Sequence, residues 1–221
     1  MPLVSERRWT RSYAAEDRKM WHEVSRFMDG SATITFQEFA REWPAWNERE
    51  RRDFCSACSW LHEQSDYPEM LRYIMQHGGP DDWSAIASSV GKHLPQDEAF
   101  DLLARAHRST GLGKGSNISQ GISLTRHPDA GTVLHAHLSA LWFHASLWKD
   151  DDFINWVAFE ATTCIAHLIE LGNPPANFTA QVRQLAGHAC SGNRDSCRSF
   201  LRNYYSWLTP GTGNSPPTFG E

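Results

Sequence analysis

The chain has 221 residues, a formal net charge of -5, 21% charged residues and 40% hydrophobic residues. That balance argues against an intrinsically disordered polymer and against a general nucleic-acid binder with an overall basic excess. The length suits one large domain, two small ones, or a stack of helix pairs, and ten Trp with eleven Phe provide bulky side chains to fill it.

Residues 1–16 carry little pattern and contain no apolar core of a secretory signal. No run approaches the roughly 18 apolar residues of a membrane helix. Five cysteines without an export signal read as reduced, buried thiols, so a cytoplasmic location is expected. Met20, Val24, Phe27 and Met28 mark a first amphipathic helix, stopped at Asp29 and Gly30. Thr35 and Glu38 form a capping-box pattern ahead of Phe36, Phe39, Ala40 and Trp43, and Pro44 closes that helix. Asn47 and Glu50 open a second, with Phe54, Ala57, Cys58 and Leu61 on its inner face and Cys55 off it. Asp66 and Glu69 suggest a third box before Leu71, Ile74 and Met75, and Gly78, Gly79 and Pro80 end that element.

Asp82 starts a helix with Trp83, Ile86, Ala87, Val90 and Leu94 on one face. Pro95 opens its partner, which carries Ala99, Leu102, Leu103 and Ala106. A glycine-rich link at 111–115 leads to Ile118, Ile122 and Thr125, then a tight turn through Arg126 to Asp129. Leu134, Leu138, Leu141, Ala145 and Trp148 form the stripe of a longer helix. After Asp150, Asp151 and Asp152 comes the longest stripe, Ile154, Val157, Ala161, Cys164, Ile165, Leu168 and Leu171. Phe178 to Ala189 and Cys197 to Leu208 mark two more helices, and 210–221 is a low-complexity tail. No segment alternates as a strand does. The expected fold is all-α, with roughly ten helices.

The pairs 82–94 with 95–109, 116–126 with 129–149, and 152–171 with 177–190 repeat at about 35–45 residues. The run from Asn117 through Ile122, Pro128 and Val133 to Leu138 has a small-residue first helix, a Pro/Asp turn and a leucine-rich second helix. It resembles a HEAT repeat, and the resemblance covers 82–208. What it implies is an irregular α-solenoid of antiparallel helix pairs. The implied organisation is an N-terminal helical region at 1–80, HEAT-like pairs at 81–208 and a flexible tail at 209–221. The small acidic HEAT-like proteins of bacterial toxin–immunity pairs are similar in size and texture.

Motifs for chemistry are sparse. Gly111, Gly113, Lys114 and Gly115 do not spell a phosphate loop, because Gly115 follows the lysine and no strand precedes it. Cys55 and Cys58 sit in a helical stripe, away from the strand-to-helix junction of a redox pair. No nucleophile-elbow motif occurs. His137 and His144 share a helix face, and with His167 they could hold a metal if further ligands converged. Packed or surface histidines are the simpler reading, and no cofactor is expected.

The window 63–101 holds eight acids against Arg72 and Lys92, a local balance of -6. Asp81, Asp82, Asp97, Glu98, Asp150, Asp151 and Asp152 sit near helix starts, where the dipole alone accounts for each. Together they could form an acidic rim that steers a basic protein. Trp142 and Phe143 lie off the main stripe of their helix, and with Trp148 they are candidate interface residues. The expectation is a cytosolic protein-binding module, an immunity-type inhibitor or adaptor that occludes a basic partner such as a cognate toxin, and not an enzyme. The alternative is a helical metallohydrolase or oxygenase using His137, His144 and His167. A HEAT-like DNA-lesion reader needs a basic groove, which the acidic window opposes despite the arginines of 183–202.

Overall fold

The computed structural model describes residues 34–110, 115–147 and 151–176. Eight α-helices span most of them, and no strand occurs among the described residues. In chain order they are α1 (Phe36–Glu42), α2 (Glu48–Ala57), α3 (Tyr67–His77), α4 (Pro80–His93), α5 (Gln96–Thr110), α6 (Gly115–Thr125), α7 (Ala130–Leu147) and α8 (Asp151–Glu170). Short 3-10 turns at Trp43–Ala45 and Cys58–Leu61 follow α1 and α2. The all-α expectation holds for this part. The expected helices around Met20–Met28, Phe178–Ala189 and Cys197–Leu208 lie outside the described residues, as does the tail. The described residues divide into two compact units, the first ending at His127 and the second starting at Pro128.

Local chemistry sets the helix starts of the first unit. Thr35 accepts from the Glu38 N–H, and the Glu38 carboxylate accepts from the Thr35 N–H at 3.0 Å. Asn47 and Glu50 repeat that exchange at 3.0 and 2.8 Å. The pattern at Asp66 behaves differently. Its carboxylate makes no cap bond to α3 and instead accepts from the Phe36 N–H at 3.0 Å, fixing the start of α1 onto the start of α3. A partner thirty residues away has displaced the local one.

An aromatic core forms where α1, its 3-10 turn and α2 meet. Phe39 stacks on Phe54 with centroids 5.1 Å apart and meets the edge of Tyr73 at 5.6 Å. Trp43 and Trp46 close the cluster, 5.7 Å apart. Such pairs contribute about 0.5–1.5 kcal/mol each beyond area burial. Cys55 is buried beside Cys58, whose thiol donates to the Cys55 carbonyl at 3.1 Å, so the expectation that Cys55 lies off the inner face is corrected. Helix α2 packs against both α4 and the 3-10 turn that follows Ala57, so more than one of its faces is covered.

The helix on which this unit is assembled is α4, which packs on α2, α3, α5 and α6. It crosses α6 at backbone contact. A Cβ at Gly91 would strike the Gly121 carbonyl, and one at Gly121 would strike the Ala87 carbonyl. Ser88 donates to Gln120 at 3.0 Å and Asn117 donates to Ser84 at 3.1 Å along the same crossing. Sequence pattern pairs α6 with the helix after it, but its packing within the first unit is against α4 and α5. Gln96, at the start of α5, donates to the carbonyls of Thr125 and Arg126 and closes the end of α6.

In the second unit α7 packs on α8. Leu134, Leu138, Leu141, Ala161, Cys164, Ile165 and Leu168 are buried, as the stripes of the two helices predict, whereas Leu171, the last member of the second stripe, follows the end of α8 and is only half-buried. Gly172 takes a left-handed φ of 71° just after α8, where a side chain would be strained. No described helix is long and apolar enough to cross a membrane.

Candidate interaction surface

The surface acids of the first unit are placed by helix starts. Asp81 and Asp97 are exposed in the first turns of α4 and α5. The fourteen residues of α4 separate them, about 20 Å of helix, and α5 begins three residues after α4 ends. They therefore do not share an edge of the helix pair. Asp97 is 88% exposed at its side chain and lies 3.7 Å from His127, whose ring stacks on Phe100 at 4.0 Å.

Two of the expected rim acids have other work. Asp82 is only 5% exposed, and its carboxylate accepts from the Gly79 N–H at 2.8 Å. Burial raises its pKa above the ordinary value, partly offset by that hydrogen bond. Asp82 thus closes the start of α4 and is withdrawn from the rim. Glu98 receives a two-pronged contact from Arg72, Nε at 2.6 Å and a terminal nitrogen at 2.9 Å, and Arg72 also reaches Glu69 at 3.3 Å. The guanidinium holds the Glu98 carboxyl below its usual range. The exposed acids of the 63–101 window are Glu63, Glu69, Asp81, Asp97 and Asp101.

In the second unit the two aromatics of α7 separate. Trp142 is half-buried, whereas Phe143 is 63% exposed, the exposed large hydrophobic side chain among the described residues. Off-stripe position on α7 is the sequence signal, and of the two side chains Phe143 is the exposed one. Trp148 and Asp150 lie outside the described residues; Asp151 and Asp152 open α8, with their side chains outside the description.

The histidines are brought together only in part. His137 is buried on α7, with Nε2 3.8 Å from Glu160 Oε2 on α8; their side chains are 1% and 2% exposed. Cys164, one turn on from Glu160, donates to the Leu134 carbonyl at 3.3 Å, and burial followed by the Glu160 charge pushes its thiol up to about 12. His167 lies 3.3 Å from Glu170, and His135 meets the Asn173 carbonyl at 3.1 Å. The side chain of His144 lies outside the description. Among the described residues, no three His, Cys, Asp or Glu side chains converge as metal ligands. Glu160 was missed in the sequence, although it stands four residues before Cys164 and seven before His167, on the face of the buried stripe.

The cysteine pair of the first unit is chemically quiet. Burial pushes Cys58 up to about 12 and lifts Cys55 well above its ordinary value, and the neighbouring Tyr67 hydroxyl is raised by burial and by Cys58. Comparison with protein-family models, with curated proteins and with solved structures finds no match to this chain.

Proposed function

We propose that the protein is a HEAT-like helical protein-binding module, of the immunity or adaptor kind, that occludes a partner, with an exposed aromatic on the second unit and exposed acids on the first as its candidate contacts. The observation that carries this reading is Phe143, 63% exposed on a helix whose other face is buried. Aromatic side chains, Phe among them, are enriched at protein interfaces. The acids Asp97 and Asp101 would supply steering toward a basic partner, acting on association rate more than on final affinity. The helix-pair plan draws support from α7 and α8, where Leu134 meets Cys164 and His137 meets Glu160.

Capture of partners by the full chain from its source cells, against a Phe143→Asp variant, tests the reading. A basic protein retained by the parent and lost by at least tenfold in the variant is the expected result. Equal retention by both would remove Phe143 from the interface and the reading with it. The alternative, a helical metal-dependent enzyme, is favoured by the buried His137–Glu160 pair. Bound metal that is lost on Glu160→Gln, with turnover lost alongside it, would decide for that alternative.

A further inference from the structure

His62 and His93 are thirty-one residues apart in sequence and face each other in the first unit, one just after the second 3-10 turn and one at the end of α4. Their ring centroids lie 5.6 Å apart with a tilt of 32°. We infer that these two imidazoles form a surface site for a divalent transition-metal ion of the zinc, copper and nickel group, with solvent in the remaining positions.

The separation of the two rings is compatible with a chelating pair. Metal–nitrogen bonds of about 2.0–2.1 Å put each ring centroid about 3.2 Å from the ion, so two rings on a tetrahedral centre have centroids about 5.2 Å apart. The observed separation is within half an ångström of that, inside the reach of a small side-chain adjustment. Each ring is also held from behind. His62 Nδ1 lies 2.9 Å from the Ser59 carbonyl, which can only accept, so Nδ1 carries the proton and Nε2 keeps its lone pair for a ligand. His93 rests against the edge of Tyr67 with centroids 5.3 Å apart, and Tyr67 is buried. Ordering an imidazole through a bond at its other ring nitrogen, as at His62, is how ligating histidines are aimed. Imidazole nitrogen suits zinc, copper and nickel over magnesium or calcium. The ion would tie the 3-10 turn after α2 to the end of α4.

The test is titration of the full chain, stripped with chelator, with Cu2+ up to one equivalent, followed by electron paramagnetic resonance and calorimetry. The parent should show two coordinated imidazole nitrogens. His62→Gln and His93→Gln should each show fewer and lose at least about tenfold in affinity, since removing even an outer-sphere partner costs that much. Unchanged affinity in either variant, with its helical circular dichroism intact, would overturn the site. A measurement without substitutions stands beside it. Substoichiometric Cu2+ should broaden the ring C–H proton resonances of His62 and His93 before those of the other histidines. Earlier broadening elsewhere would overturn the assignment even if a variant failed to fold.

Discussion

At the scale of single residues, burial decides what the reactive groups can do. Cys58 and Cys164 have thiols pushed up to about 12, and Cys55 is raised well above its ordinary value. At pH 8 the thiolate fraction is minute, and access is closed as well. Native protein should therefore resist iodoacetamide at all three positions while unfolded protein labels readily; rapid native labelling, read by mass spectrometry, would contradict the burial. The acid limb of stability follows from three other groups. His93 has a folded pKa below its ordinary 6.5, so the unfolded chain takes up its proton first and stability declines as pH falls below 6.5. Glu38 and Glu98 have folded pKa values below 4.5, so their contribution is complete above 4.5 and is lost as pH drops through the lowered values. Denaturation midpoints should then fall in two phases, and His93→Gln should remove only the upper one. What was legible in the sequence at this scale was local. The Thr35 and Asn47 caps depend on residues three apart, and both form. Asp66 has the same spacing but serves Phe36, because a tertiary donor was within reach. His62 and His93 carried no signal, since nothing in either segment announces the other.

At the scale of elements, the crossing of α4 and α6 sets the packing of the first unit. Replacing Gly91 or Gly121 by Ala should gain about 1 kcal/mol of helix propensity. Overpacking costs about 1–3 kcal/mol, and the obstacle is a backbone carbonyl that cannot swing aside. The clash should win, so both variants should unfold at lower urea concentration with an unchanged slope. A midpoint at or above the parent's would show that the helices separate easily. Asp82→Ala should cost about 1 kcal/mol through loss of the bond to the Gly79 N–H, whereas Asp82→Asn keeps an acceptor without a buried charge and should be milder. Helix existence was readable because the 3.6-residue period survives in short windows. The crossing was not, because glycine in a helix records only that something comes close, not which helix comes.

At the scale of the whole molecule, the sequence conveys the helices of the described residues but not where the chain divides. The stretch 114–152 reads as one hairpin, yet the boundary between the compact units falls inside it, at His127 and Pro128. Periodicity marks faces and stops; it does not rank which neighbour a face will choose, and α6 finds its partners upstream. Residues 1–127 expressed alone should give helical circular dichroism and a cooperative melt, because the aromatic core and the α4 crossing lie within them. A gradual melt would show that this core needs the rest of the chain. The contact between Trp43 and Trp46 has an optical consequence. Two indoles at that separation share their excited states, so the far-ultraviolet spectrum should contain an exciton couplet that vanishes with either ring. That couplet would give the first unit its own colour, allowing its unfolding to be followed inside the intact protein without any label.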